Sequence, residues 1–171
     1  MLYINSIFTI SEMSLARKKF NPTSFSEKNK APKGWVLETE GRNYSWKSKL
    51  ERVAISREGV PFSALEVLGK KINLPIRDVL TIFEIPQTTY NKKRRENALL
   101  GGKESEAVLL ITEILDFGIE VFNGETEKFL RWLKKPNPSL GGMSPESFFD
   151  SITGIQEVKN CLNRLEYGNL A

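Results

Sequence analysis

Histidine is missing from all 171 residues, and cysteine occurs once, at Cys161. Without an imidazole there is no Ser-His-Asp or Cys-His triad and no histidine-containing zinc site. A single cysteine excludes an intramolecular disulfide framework and a multi-cysteine metal centre, and suits a reducing, cytoplasmic setting. No apolar run approaches the roughly 18 residues of a membrane span. The segment from Met1 to Met13 interrupts its apolar residues with Asn5, Ser6, Thr9 and Ser11 and has no basic start, which makes it a poor signal peptide. Glycine pairs occur at Gly101-Gly102 and Gly141-Gly142, but neither is followed by the Lys-Ser/Thr of a phosphate loop. The carboxylates Glu104, Glu106, Glu113, Asp116 and Glu120 have helical surface spacings and read as a solvated face. Cys161, with no base beside it, reads as a packed side chain. The expectation is a protein that is not an enzyme, with no catalytic residue, no metal ligand and no cofactor.

What is present is charge of two signs, separated along the chain. Residues 1–46 carry 7 basic and 4 acidic side chains, residues 47–101 carry 11 and 6, and residues 102–171 carry 7 and 11. The net +4 therefore hides a basic middle and an acidic end. A basic stretch suits a polyanion, and an acidic one a different partner.

Residues 1–48 hold Pro22, Pro32, Gly34 and Gly41 and no sustained period, which predicts a poorly structured leader. Trp35, Val36, Leu37, Tyr44 and Trp46 are apolar enough for part of it to pack on the body. From Lys49 the pattern turns helical, and no stretch alternates long enough to predict a strand. Leu50, Val53 and Ala54 form a stripe ended by Gly59. Phe62, Leu65, Leu68 and Gly69 form another, closed by Asn73. Ile76, Val79, Leu80 and Phe83 follow the amphipathic spacing. Glu84-Ile85-Pro86 breaks it, and a second short helix runs from Gln87 to about Asn97. From Glu104 to Phe122 the apolar arc is wider than a surface helix needs, which predicts a helix central to its domain or shared between subunits. A short helix around Trp132 ends at Pro136-Asn137-Pro138. Ser144-Pro145-Glu146 predicts another helix start, and the last helix runs from Ile155 to Tyr167. The fold class is all-α. The chain divides into a leader (1–48), a helix-turn-helix domain (49–101) and a helical dimerisation and partner-binding domain (102–171).

Two helices joined by about three residues, the second basic, outline a helix-turn-helix. Tyr90 and Arg94 fall on one side of the second helix, where Tyr90 anchors it to the core. Thr88, Asn91, Lys92 and Arg95 fall on the other, facing a major groove, where Asn pairs with adenine and Arg or Lys with guanine. Lys93 and Arg94 suit phosphates, and Gln87 and Thr89 complete the candidate set. The competing reading is a solvated helix end whose cations complement the dipole.

Trp132-Leu133, Pro136-Asn137-Pro138-Ser139-Leu140-Gly141-Gly142, Ser144-Pro145-Glu146 and Leu162-Asn163-Arg164-Leu165-Glu166-Tyr167-Gly168 together resemble the toxin-binding domain of Xre/ParS-type antitoxins. Residues from about Arg57 to Glu96 are similar to that family's Xre-like helix-turn-helix, with Glu84 and Pro86 where Gly and Ser are common in the turn. Asn163 stands where the terminal motif commonly has Gly. The resemblance implies an antitoxin of a type II toxin–antitoxin pair. It implies a RES-domain toxin that attacks NAD as partner, and a homodimer that binds operator DNA and represses its own operon. It also implies that Arg164, Leu165, Glu166, Tyr167, Gly168, Asn169, Leu170 and Ala171 enter or cover the toxin active site. The alternative class is a stand-alone transcription regulator with a C-terminal dimerisation or sensing domain.

Overall fold

The computed structural model describes residues 34–168. The leader expected at 1–48 falls outside the described residues as far as position 33, and from Gly34 onward it is ordered structure. Strands β1 (Trp35–Glu38) and β2 (Asn43–Trp46) pair antiparallel, with Trp35 opposite Trp46 and Glu38 opposite Asn43. Leu37, Tyr44 and Trp46 turn inward and are buried, and the Trp35 ring stacks on Trp46 at 6.2 Å. Two strands of four residues are too short for alternation to stand out in a sequence. The hairpin is the one departure from the all-helical expectation among the described residues.

Seven α-helices follow: α1 (Lys49–Glu58), α2 (Ala64–Ile72), α3 (Ile76–Ile82), α4 (Gln87–Arg95), α5 (Gly102–Val121), α6 (Thr126–Lys134) and α7 (Ile152–Glu166). Their ends are written in the sequence. Ser48 caps α1 by accepting from the Glu51 N–H at 3.2 Å, and the Glu51 carboxylate accepts from the Lys47 N–H at 2.7 Å. Asn73 closes α2 in the left-handed region at φ 53°. Ser144-Pro145-Glu146 does open a helix, a 3₁₀ one over Pro145–Phe148, with the proline in its first turn but no capping bond from the Ser144 side chain. The next helix, α7, is capped by Ser151, whose hydroxyl accepts from the Gly154 N–H at 3.1 Å. Gly154 is required there, because a Cβ would overlap the Phe148 carbonyl.

The apolar arc of α5 is consumed inside the chain. This helix packs against α1, α2, the hairpin, α6 and α7, and Val108, Leu109, Ile111, Ile114 and Leu115 are buried in a single core that also holds Leu37, Leu65, Phe129, Phe149 and Leu162. Gly118 lets Phe129 of α6 lie directly on the α5 backbone, where a Cβ would overlap the ring. The sequence's Pro-Asn-Pro…Gly-Gly loop folds on itself. Asn137 accepts through its side chain from the Ser139 N–H at 2.9 Å. Its N–H donates to the Met143 carbonyl at 3.0 Å, and its amide donates to the Cys161 sulfur at 3.5 Å, fastening the loop to α7. Gly141 and Gly142 sit at φ 66° and 80°, open only to residues that tolerate the left-handed side.

One acidic residue is not where the sequence put it. Glu113, expected on a solvated face, is 3% exposed. Its Oε1 accepts from the Trp46 indole at 2.9 Å and from Arg52 Nη1 at 2.7 Å. Lys159 of α7 approaches Oε2 at 3.6 Å. From Ala107 to Leu115 every residue of α5 is buried, so at Glu113 the helix has no solvated face to offer and the charge is paired instead.

Candidate functional site

Helices α3 and α4 with the turn between them make the helix-turn-helix. The turn closes when the Ile85 N–H donates to the Leu80 carbonyl at 2.9 Å and the Glu84 N–H to the Thr81 carbonyl at 3.1 Å. That geometry forces Glu84 to φ 53°, a region where a Cβ is disfavoured. Pro86 then leads into α4 at φ −59°. The module is stitched shut at its base, where the Leu100 N–H donates to the Val60 carbonyl at 2.8 Å and the Phe62 N–H to the Ala98 carbonyl at 3.2 Å.

Relieving the left-handed residue at the turn should stabilise the fold. Glu84→Gly removes about 1–2 kcal/mol of backbone strain and returns about 0.4–1 kcal/mol through the freer unfolded chain. A net gain of about 0.5–1 kcal/mol is expected, read as a melting temperature raised by about 2–5 °C. An unchanged or lower melting temperature would show that the carboxylate makes compensating contacts.

Of the candidate DNA-facing residues, Gln87, Thr88, Thr89, Asn91, Lys92, Lys93 and Arg95 are exposed along α4. The Gln87 amide donates to Asn91 Oδ1 at 3.0 Å, and Arg95 Nε donates to its own helix at the Asn91 carbonyl, also 3.0 Å. Lys93 stands 3.7 Å from Glu96. Tyr90 is buried, as its position on the inner face predicts.

Arg94, also expected among the phosphate contacts, is half-buried and pairs with two carboxylates. Its Nε donates to Glu66 Oε1 at 2.6 Å, and its Nη2 to Glu66 Oε2 at 3.1 Å and Glu40 Oε2 at 3.0 Å. The Tyr90 hydroxyl donates to the same Glu66 Oε1 at 2.5 Å. These bonds shift every member. The Arg94 guanidinium, and secondarily the Tyr90 hydroxyl, hold the Glu66 carboxyl below the usual carboxylate range against the opposing effect of burial. Burial first, and then the hydrogen bond to Glu66, push the Tyr90 phenol up. The hydrogen bond to Glu66 raises the Arg94 guanidinium further. The sequence held the signal for this, since an arginine one turn from a buried tyrosine on the inner face needs a carboxylate there. Which carboxylate it meets depends on α2 and the hairpin, which the sequence does not bring together.

At the other end of the fold, Ile155, Val158, Cys161 and Leu162 bury one side of α7. Of the residues expected to meet a toxin, Arg164 and Leu165 are half-buried, and Leu165 packs on the core. Glu166 is exposed, Tyr167 is 75% exposed, and Gly168 at φ 68° ends the helix. Asn169, Leu170 and Ala171 lie outside the described residues. Glu146, in the 3₁₀ turn before α7, is pushed up chiefly by burial. Among the described residues, no group of three or more His, Cys, Asp or Glu side chains is placed to hold a metal ion, and no helix is long and apolar enough to cross a membrane.

Residues 51–112 match the family model of the antitoxin Xre-like helix-turn-helix domain. Residues 117–168 match that of the antitoxin Xre/MbcA/ParS C-terminal toxin-binding domain. Antitoxin Xre of Photorhabdus laumondii is 28% identical over 115 residues, covering 67% of this chain and 78% of the relative. The Prs ADP-ribosylating antitoxin of Sphingobium sp. is 28% identical over 134 residues, covering 72% and 83%.

Proposed function

Because the chain belongs to the Xre/MbcA/ParS antitoxins, carrying their helix-turn-helix and their C-terminal domain in order, we propose that it neutralises a RES-domain toxin in the cytoplasm and represses its own operon. The end of α7 with the residues after it covers the toxin's active site, and α4 reads operator DNA. No chemical step is assigned to the chain itself. The observation that carries the first half is the exposed Tyr167 at the end of α7, inside the stretch matching a toxin-binding domain. An aromatic side chain standing free on a helix end is the kind of group that dominates interface energetics.

Co-expression with the neighbouring RES-type reading frame tests it. Growth is expected to recover and the two proteins to co-purify, and a toxin that neither binds nor is silenced overturns the reading. The name of the Sphingobium relative, an ADP-ribosylating antitoxin, supports a second reading of the partner, as a toxin that transfers ADP-ribose. Labelled NAD separates the two: NAD consumption without protein labelling favours the first, labelled protein the second.

For the DNA half, Lys92→Ala or Arg95→Ala is expected to weaken operator binding by about 1–3 kcal/mol if the side chain reads a base. A phosphate contact instead weakens all sequences alike and reduces the salt slope by about one. Gel shifts across a salt series decide between these, and two variants with unaltered binding remove α4 from recognition. A homodimer belongs to the same proposal, since a short helix-turn-helix needs two half-sites. It now rests on that need alone, the apolar arc of α5 being covered within one chain. Light scattering is expected near twice 19.5 kDa, and a monomer at tens of micromolar, with and without operator, removes it.

A further inference from the structure

We propose that Glu66 of α2 is the positioning residue of α4, fixing the rotation of that helix about its axis and so which of its side chains meet the base edges. This rests on the reading of α4 as the DNA-contacting helix and goes beyond it by naming what aims it. The sequence of α4, Gln-Thr-Thr-Tyr-Asn-Lys-Lys-Arg-Arg, contributes one buried side chain to the fold, Tyr90, whose ring lies 6.4 Å from that of Phe62. A helix held by one aromatic ring is anchored along its length but free to roll, because apolar contact has no direction.

The direction comes from Glu66. Tyr90 and Arg94 stand one turn apart on the same face, and both end on this one carboxylate. The Tyr90 hydroxyl is at 2.5 Å and Arg94 Nε at 2.6 Å from Oε1, while Arg94 Nη2 is at 3.1 Å from Oε2. Two points on the helix tied to one group, one of them through a planar fork, define an angle as well as a distance. Glu40 of the hairpin accepts from the same Nη2 through both its oxygens, at 3.0 and 3.1 Å. Arg94 and Glu66 keep side-chain exposures of 32% and 30%, so the pair is too wet to contribute much stability. Its worth lies in geometry. A roll of about 20° moves a side-chain tip roughly 2 Å when it stands about 5 Å from the axis. That is enough to break a paired hydrogen bond to a base.

The test uses the full chain and two duplexes, one spanning its own promoter and one scrambled to the same length and composition. Binding is titrated by fluorescence anisotropy across a salt series. In Glu66→Gln the affinity ratio between the two duplexes is expected to fall at least tenfold. Binding to the scrambled duplex is expected to persist with a salt slope steeper by about one, because Arg94 is then held only by the exposed Glu40 and can turn to phosphate. Tyr90→Phe, which deletes only a hydroxyl, is expected to lower the ratio several-fold with the melting temperature nearly unchanged, and keeps the proposal testable should Glu66→Gln not fold. Arg94→Lys, which keeps the charge and loses the fork, is expected to lower the ratio without steepening the slope. An unchanged ratio in the folded variants overturns the proposal, and so does equal weakening on both duplexes, the mark of a merely structural pair. If the unaltered chain binds both duplexes alike, the DNA reading itself falls, and this inference with it.

Discussion

Glu113→Ala is expected to lower the free energy of unfolding by about 3–5 kcal/mol, the usual cost of removing one partner of a buried ion pair. The variant leaves Arg52, itself 8% exposed, as a cation without its counter-charge. The position is already demanding, since Arg52 Nε is buried with no hydrogen-bond partner among the described residues. The Trp46 indole loses its acceptor as well. Against a total stability of about 5–15 kcal/mol, the loss populates unfolded chain at physiological temperature. Glu113→Gln keeps an acceptor for Trp46 and forfeits only the charge, so a smaller loss is expected. Replacing both partners by apolar residues of similar size, Arg52→Met with Glu113→Leu, is expected to recover most of it. Urea unfolding followed by tryptophan fluorescence and helical circular dichroism measures all three. A cost below about 1 kcal/mol for Glu113→Ala would mean that water enters the site and screens the pair.

The second large effect concerns the partner. Removing Glu166 to Ala171 is expected to abolish toxin neutralisation while leaving operator binding intact. The cut is placed after Leu165 because that side chain packs on the core and its loss would loosen α7. Tyr167→Ala alone is expected to cost about 2–4 kcal/mol of toxin binding, the range of an interfacial aromatic anchor. Growth on co-expression with the toxin is the readout, with circular dichroism and gel shifts as controls. Full rescue by a folded, truncated chain would remove the end of α7 from the mechanism.

The helical body was legible because its signals are local. Amphipathic spacing gave α3 and α5, Asn73 and Gly59 marked the ends of α2 and α1, and the Glu84 break marked the turn. The features that escaped are those decided by distant partners. Trp35, Leu37, Tyr44 and Trp46 become a hairpin only because α1, α2 and α5 cover its inner face. Glu113 is spaced like a surface carboxylate, and only the breadth of the surrounding apolar arc hinted that the middle turns of α5 have no outer side. Arg94 was placed on the inner face by its helical position yet assigned to phosphate by its charge. Its helical position accounts for the carboxylates it meets, since a charge on a half-buried face is paired there.

The stretches matching the two antitoxin domains end at 112 and resume at 117, and both run along α5. Glu113 lies in the interval, bonded to Trp46 and Arg52 on one side of the junction and facing Lys159 on the other. A chimera that joins the helix-turn-helix domain of one such protein to the C-terminal domain of another must therefore be cut inside a continuous helix. A graft that brings in apolar residues at positions 46 and 52 leaves the acid at the seam with Lys159 alone, whereas one that carries Trp46, Arg52 and Glu113 across together makes the chimera a matter of finding one cation on the incoming helix.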